Sequence, residues 1–253
     1  MKRNILILAI FLINSTFSVF AQNELFLNQQ EAFSIKSEKD NFELGEPAQI
    51  GFIFTNLSNN EVDVGCFGVG VGSFKLFISQ DNVNFLEYNA GWGTVDAFCE
   101  SRLKPNEKIE TPFVKVLWNE KVERNPNSNS EIYNRYKKEN IVNAYAFIEP
   151  GVYYIKATAL LIGKNFDAKP IEIRINEPSG EDIKVWNLIK DDENFAYFLQ
   201  EVAVRIPSYK KEEKVKFVQN IEEIIAKYPN SRIAKQLSEN LVQYKINEAK
   251  RAK

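Results

Sequence analysis

Residues 152–162 read VYYIKATALLI, and an extended chain would place every second side chain of this stretch on one face. That face would carry Tyr153, Ile155, Ala157, Ala159 and Leu161. A repeat of two is typical of a β-strand with one buried face. The stretch therefore predicts a strand, and the Glu-Pro-Gly sequence just before it predicts a turn.

The same repeat returns in four other segments between residues 31 and 176. They are AQIGFIFTN (48–56), SFKLFIS (73–79), KIETPFVKVLW (108–118) and PIEIRI (170–175). Clusters of Gly, Pro, Asn and Asp separate the segments, as turns require. Pro112 interrupts the third segment, which suits an edge strand or a bulge. Because no helical crossovers lie between the segments, we expect seven or more short antiparallel strands in a β-sandwich.

After Pro178 and Gly180 the apolar spacing changes to three and four, which predicts helices. We expect Ser179 to cap the first helix, Pro207 to end the second and Ser231 to cap the fourth. The apolar residues that mark these helices are Ile183, Trp186, Leu188 and Ile189; Phe195, Phe198, Leu199 and Val202; Val218, Ile221, Ile225 and Tyr228; and Ile233, Leu237, Leu241 and Tyr244.

The first residues of the chain resemble an export signal in their pattern. Lys2 and Arg3 precede nine apolar residues, 5–13, and Ala21 offers a small residue at a cleavage position. This order is typical of a secretory signal peptide, residues 1–21. The alternative is an uncleaved anchor or a buried first strand. No later stretch is long and apolar enough for a membrane helix, so we expect an exported protein, periplasmic or secreted.

The chain has two cysteines, Cys66 and Cys99. In an oxidising compartment such a pair predicts one disulfide. It would close a loop of about 34 residues, which stabilises the fold by roughly 4 kcal/mol in the loop-entropy model. The alternative is two free buried thiols.

The composition excludes several kinds of chemistry. Histidine is absent, which removes Ser-His-Asp and Cys-His catalytic sites and His-bearing zinc sites. A net charge of −2 gives no support to nucleic-acid or anionic-membrane binding by bulk charge. We therefore expect no enzyme activity, no cofactor and no metal.

The glycine run GCFGVGVGSFKLFI (65–78) invites comparison with phosphate-binding loops. A phosphate loop needs Lys followed by Ser or Thr and then a helix, whereas this run leads into a strand-like segment. We interpret it as a bulged or closely approached strand and not as a nucleotide site.

Six aromatic residues are candidates for contact with a partner. Phe85, Tyr88 and Trp92 lie in the segment 84–93, which the predicted disulfide would bracket. Trp118, Tyr133 and Tyr136 border or lie in the long polar segment 119–140. Aromatic side chains on anchored loops are common in binding surfaces. The alternatives are core packing for the first group and for Trp118, and a solvated loop with a short helical turn for the polar segment.

Two resemblances to known families rest on short motifs. FELGEPAQIGFIFTNLSNNEVDV (42–64), EPGVYYIKATALLIG (149–163) and PIEIRINEP (170–178) resemble bacterial secreted immunoglobulin-like domains. The junction AKYPNS (226–231) looks like the turn of a tetratricopeptide-type helical hairpin. The first resemblance implies an immunoglobulin-like β-sandwich, which we assign to residues 22–177. The second covers one hairpin, and the apolar spacing predicts a bundle of about four helices over residues 178–253.

The function predicted from the sequence is non-catalytic binding of a protein or glycan of the cell envelope or extracellular space. The alternative is an inhibitor of secreted proteinases that offers one sandwich loop to an active-site cleft. The binding prediction rests on the fold type, the missing catalytic signatures and the aromatic loops, and the inhibitor alternative rests on an analogy of fold.

Overall fold

The computed structural model describes residues 31–68, 74–88, 100–119, 145–207 and 209–251. In this part of the chain twelve strands precede four helices. The strands are β1 (Phe33–Ser37), β2 (Asn41–Glu43), β3 (Ala48–Thr55), β4 (Val62–Asp63), β5 (Phe74–Ser79), β6 (Leu86–Tyr88), β7 (Arg102–Leu103), β8 (Lys108–Glu110), β9 (Val114–Val116), β10 (Gly151–Leu161), β11 (Lys164–Asp167) and β12 (Ile171–Asn176).

The strands form two larger sheets and one small one. The four-stranded sheet has β1 on one side of β3, and β8 and β9 on the other. The six-stranded sheet has the order β2-β12-β10-β5-β6, and β11 also pairs with β10. β4 and β7 form the two-stranded sheet. The antiparallel prediction holds for these pairs except one, because β2 runs parallel to β12. The larger sheets are therefore open, and the six-stranded one is mixed.

Strand β10 is the centre of the six-stranded sheet. One edge pairs with β5, and the other pairs first with β12 and then with β11. Its inward side chains from Tyr153 to Leu161 are buried at every second position, which confirms the alternation seen in the sequence. The residues predicted for the inner faces of β3 and β12 are buried too, apart from the half-buried Ile171.

The two larger sheets contact each other through phenylalanine rings. Phe52 of the four-stranded sheet lies 4.9 Å from Phe74 of the six-stranded sheet, measured between ring centroids. Phe33 lies 5.8 Å from the same ring, and Phe54 meets Phe166 edge to face at 5.2 Å. Such aromatic pairs add about 0.5–1.5 kcal/mol each beyond the burial of their area. This cluster holds one end of the β region together.

Pro112 separates two strands that in the described ranges pair on one side only, with β3, which agrees with the edge position predicted as one of the two alternatives. β8 and β9 both pair with β3. Between them the Thr111 N–H donates to the Phe52 carbonyl oxygen, and the Phe52 N–H donates to Thr111 Oγ1. The threonine side chain thus supplies the acceptor that a regular ladder would have provided at this position.

The four helices are α1 (Glu181–Ile189), α2 (Glu193–Glu201), α3 (Lys211–Lys227) and α4 (Arg232–Arg251). The apolar residues predicted for α4 are buried, and Ser231 Oγ accepts from the Ala234 N–H as expected of a cap. The predicted cap of α1 is wrong, because Gly180 occupies that position without a side-chain hydrogen bond. α2 ends at Glu201, well before Pro207. No helix in the described ranges is long and apolar enough to cross a membrane.

The buried faces of α1 and α3 differ from the prediction. In α1, Val185 is buried together with Trp186 and Ile189, whereas Ile183 and Leu188 are exposed. In α3 the buried residues are Phe217, Ile221 and Ile224, so part of the predicted stripe was one position off. A run of neighbouring apolar residues leaves the register of a helix face undecided until its packing partner is known.

An ion cluster joins the start of α4 to α1 and to the sheets. Arg232 lies 2.5 Å from Glu43, 3.4 Å from Glu46 and 3.2 Å from Asp182, measured between nitrogen and oxygen. Asp182 Oδ1 also accepts from Ser231 Oγ and from the Ile233 N–H. A carboxylate of α1 thus caps α4, and its counter-ion Arg232 reaches Glu43 at the end of β2 and Glu46 in the turn that follows.

At Gly45 the turn after β2 packs closely against α1 and α4. The Gly45 φ of +83° is a backbone conformation that L side chains rarely adopt. A Cβ atom added there would lie 3.0 Å from both Ile233 Cδ1 and Trp186 Cε3. Glycine is therefore required here for two separate reasons, conformation and space.

The first prediction concerns this contact. We expect Gly45→Ala to lower the free energy of unfolding by about 1–3 kcal/mol, because it adds backbone strain and a clash with Trp186. Urea unfolding followed by circular dichroism measures the change. Gly151→Ala is the matched control, since a Cβ there meets nothing within 4 Å. Equal stability of the two variants would contradict the packing described for Gly45.

The second prediction concerns pH. Burial acts to raise the pKa of Asp182, but hydrogen bonds from Ser231 and Ile233 and the charge of Arg232 outweigh it, and the pKa is lowered. A lowered carboxyl pKa stabilises the fold above the unfolded value of about 3.9, and this stabilisation is lost as the pH falls through the folded value.

We therefore expect Asp182→Asn to be less stable than the parent at pH 7 by about 1–3 kcal/mol, with the difference shrinking below pH 4. Urea titrations at pH 7, 4 and 3 provide the comparison. Asp167→Asn is the control, because Asp167 makes only an exposed ion pair with Lys156. A difference that stays constant with pH would show that the Asp182 charge does not stabilise the junction.

Candidate functional site

The structure describes three of the six aromatic residues predicted for partner contact. Phe85 is half-buried in the turn between β5 and β6. Tyr88 and Trp118 are buried, so their side chains offer no surface to a partner in this arrangement. Trp92, Tyr133 and Tyr136 lie outside the described residues. Cys99 does too, and its disulfide with Cys66 stays a prediction.

Tyr88 and Trp118 belong to a buried junction between the sheets and α2. Gln200 Oε1 accepts from the backbone N–H groups of Leu117 and Trp118, at 2.9 and 2.8 Å. The Tyr88 hydroxyl donates to the Trp118 carbonyl oxygen at 2.6 Å and lies 2.9 Å from Gln200 Oε1. Burial raises the pKa of Tyr88, so the hydroxyl keeps its proton. Both aromatic residues are therefore packed in the core, which was the alternative to partner contact.

The outer side of this junction is covered by aromatic contacts. The Trp118 ring meets Tyr197 edge to face at 4.8 Å, and the Arg205 guanidinium lies 4.6 Å from the Trp118 ring centroid. Asn240 of α4 donates to the carbonyl oxygens of Phe198 and Leu199 and so satisfies the last turn of α2. These contacts bind α2 to both neighbouring layers, which makes the junction structural.

A groove lies between α1, α2 and α3, with a volume of about 260 Å³. Its apolar residues are Leu188 of α1, Phe195 of α2, and Ile224 and Tyr228 at the end of α3. Leu188 is 54% exposed although the sequence predicted it on a buried face. The groove is therefore a place where apolar side chains meet solvent.

Polar residues of α3 line the same groove. Asn220, Glu223 and Lys227 follow each other at spacings of three and four, which places them along one side of the helix. They provide an amide, a carboxylate and an ammonium group, and the two charges cancel. Lys227 Nζ lies 5.4 Å from the centroid of the Tyr228 ring. The groove thus combines an apolar interior with a rim that can both donate and accept hydrogen bonds.

A second exposed apolar feature is the tip of the hairpin formed by β10 and β11. Leu161 pairs with Lys164, so Ile162 and Gly163 form a two-residue turn. Their φ values are +47° and +70°, typical of the turn that favours Asn-Gly. Leu160 is 57% exposed and Ile162 is 39% exposed. We call Leu160, Ile162 and Gly163 the β10–β11 tip.

The sequence contained weak signals for both features. The spacing of Asn220, Glu223 and Lys227 is visible in the sequence, but it equally describes any solvated helix face. For the tip, the two residues that join strands in a tight hairpin are usually polar or glycine, and Ile162 departs from this preference. The groove becomes visible only in the structure, where Leu188 lies beside residues of α3.

Charged clusters in the described residues suggest no metal site. No group of three or more Cys, Asp or Glu there is placed to hold an ion. Asp81 accepts from Ser79 Oγ and from the N–H groups of Val83 and Asn84. Hydrogen bonds, led by that from the Asn84 N–H, lower the pKa of Asp81. This carboxylate organises the turn after β5.

Comparisons with known proteins leave the family open. No family model and no curated protein matches the chain. A β-glucosidase from Erythrobacter marinus is 10% identical, with a TM-score of 0.30 over 57% of this chain and 15% of its own. A Listeria innocua β-glucosidase is 11% identical, with 0.28 over 58% and 16%. Spo0M, a sporulation control protein from Bacillus subtilis, is 12% identical, with 0.27 over 62% and 56%. TM-scores this low support no conclusion about fold or activity.

The third prediction tests the junction. We expect Gln200→Ala to lower the free energy of unfolding by about 2–4 kcal/mol, because two buried N–H groups would lose their acceptor. Gln243→Ala is the control, since Gln243 contacts only Asn247 on the exposed side of α4. Thermal unfolding of both variants checks this. If Gln200→Ala melts like the control, the junction does not depend on this side chain.

Proposed function

We propose that this chain is an exported, non-catalytic binding protein that captures a polypeptide at the groove between α1, α2 and α3. The observation that carries the proposal is the groove itself. It combines the exposed Leu188 with a polar rim that is electrically balanced. Export rests on the pattern of residues 1–21.

The size and lining of the groove favour a polypeptide over the other partners considered. Small-molecule sites enclose about 300–1,000 Å³, and this groove is smaller, at about 260 Å³. Sugars stack on open aromatic faces, but Phe195 is buried, Tyr228 is half-buried, and the Lys227 ammonium lies 5.4 Å from the centroid of the Tyr228 ring. One or two apolar side chains, with their backbone against Asn220, Glu223 and Lys227, would suit both the interior and the rim.

The proposal includes an immunoglobulin-like arrangement of the β region. Two sheets in contact through Phe33, Phe52 and Phe74 support it, together with antiparallel pairing along β10. In this proposal the β region is a rigid support, and α2, held by Gln200, presents the groove. Residues 22–177 and 178–253 would then act as one body.

Site-specific photo-crosslinking tests the function. A photoreactive amino acid at position 188 should form a discrete adduct with another polypeptide in the producing cells, and mass spectrometry would identify it. The matched control is position 242, because Val242 is a 60% exposed aliphatic residue on α4 outside the groove. Adducts of equal yield from both positions, or none from position 188, would overturn the proposal.

A further inference from the structure

Strand β11 forms an open edge of the six-stranded sheet. Among the described strands it pairs only with β10. The Ala168 N–H donates to the Ala157 carbonyl oxygen at 2.9 Å, so the backbone of Ala168 faces β10. Because the backbone groups of a strand alternate in direction, those of Asn165 and Asp167 point away from β10. We call these two N–H and two carbonyl groups the β11 edge.

The groups of the β11 edge are open to solvent and lack partners. Asn165 and Asp167 are exposed, and within the described ranges their backbone groups make no hydrogen bond. Their donors and acceptors repeat every second residue, at about 6.6 Å. Another extended chain has the same repeat and can pair with them, which is a general mode of peptide recognition.

The other strand edges in the described ranges are less available. In β1 the outward backbone groups belong to Phe33 and Ile35, which are buried. Pro112 separates β8 from β9. β2 and β6 have three residues each, and β4 and β7 have two. An added strand thus finds exposed backbone groups at β11.

The same side of the sheet already carries one added strand. β11 and β12 both pair with β10 on the side opposite β5. β2 pairs with the far side of β12, where the Arg174 N–H donates to the Asp40 carbonyl oxygen. A strand beside β11 would extend the row that β2 begins. Pro170 follows β11 and has no N–H, so the added strand spans the four residues of β11.

The charges beside the β11 edge favour an acidic strand. Lys164 and Lys169 are exposed at its two ends, and neither ammonium has a carboxylate partner in the described part of the chain. Asp167 lies between them in the sequence, and its carboxylate is 3.9 Å from the Lys156 ammonium. The positive charge of the two end lysines is therefore not compensated. An added strand with Asp or Glu side chains would supply the missing anions.

The same charges disfavour a second copy of this chain as the added strand. If two β11 edges paired antiparallel through Asn165 and Asp167, Lys164 of each copy would lie beside Lys169 of the other. Like charges that meet across two strands destabilise the pair. Lysine on an exposed edge is accordingly a common protection against pairing of identical edges.

We propose that the β11 edge binds an extended acidic segment of another polypeptide, which adds to the six-stranded sheet as a further strand. The edge shares no residue with the groove between α1, α2 and α3. It is therefore a second binding surface, and it does not depend on the proposed function. Few backbone groups form the contact, and the association is accordingly weak.

Fluorescence anisotropy with two labelled peptides tests the proposal. One peptide is Glu-Val-Glu-Val-Glu-Val-Glu, and in the other each Glu is replaced by Lys. We expect the chain purified from the producing cells to bind the acidic peptide with a dissociation constant below about 1 mM, and the basic peptide about tenfold more weakly. Salt at about 1 M should reduce this difference, because it screens exposed charges.

Two variants at position 167 isolate the backbone group. Asp167→Pro removes the outward N–H, whereas Asp167→Ala keeps it and removes the same carboxylate. The pairing with β10 is retained in both, because this N–H does not face β10. We expect Asp167→Pro to bind the acidic peptide about tenfold more weakly than Asp167→Ala, the effect of one lost hydrogen bond. Asp167→Ala should bind at least as tightly as the parent.

Amide exchange in the parent chain gives a measurement that needs no variant. Saturation with the acidic peptide should slow the exchange of the Asn165 and Asp167 amides. The amide resonances around Leu188, beside the groove, should not shift.

Charge reversal tests the chemistry of the added strand. Lys164→Glu combined with Lys169→Glu should exchange the preference, so that the basic peptide binds about tenfold more tightly than the acidic one. Lys211→Glu combined with Lys216→Glu is the matched control, because both lysines are exposed on α3. This control should keep the preference of the parent.

The inference is overturned if the parent binds neither peptide up to about 1 mM or binds both equally. Unchanged exchange of the Asn165 and Asp167 amides overturns it as well, also where Asp167→Pro does not fold. Dimers of the parent that Asp167→Pro abolishes would identify a second copy as the added strand and overturn it too. Each of these results leaves the proposed function standing, since the adduct from position 188 tests that separately.

Discussion

The hydrogen bonds that Gln200 Oε1 accepts from the N–H groups of Leu117 and Trp118 hold the sheets and helices in one arrangement. A buried backbone N–H without an acceptor costs about 1–3 kcal/mol, so α2 cannot leave this position without a large loss of stability. Asn240 then ties the end of α2 to α4. The shape of the groove depends on these contacts, because Phe195 of α2 lines its interior.

The ion cluster around Arg232 acts at a second point of the same junction. Arg232 is half exposed, so its individual ion pairs contribute little by themselves. Asp182 is different, since it is buried and accepts hydrogen bonds from Ser231 and Ile233. Together with the close contact at Gly45, it fixes the position of α1 and α4 against the turn after β2. Two separate contacts thus hold the helices that form the groove against the β region.

The sequence predicted most of the regular structure where burial repeats cleanly. Alternation along β10 and the spacing of Ile233, Leu237 and Leu241 were sufficient, because each pattern matches only one kind of element. It was less successful for Leu188 and Ile225, which lie in apolar runs where neighbouring positions compete for the buried face. Tyr88 and Trp118 show a similar limit, since an aromatic residue suits a binding loop and a core equally well.

The sequence by itself determined that a β region precedes four helices, whereas the export signal and the disulfide stay predictions. Only the tertiary structure decided that β2 runs parallel to β12, that Gln200 joins α2 to the sheets, and that Leu188 borders a groove. The physical reason is the range of the interactions. Periodic burial is a local property that the order of residues records, whereas a groove or a buried acceptor depends on segments far apart in the chain.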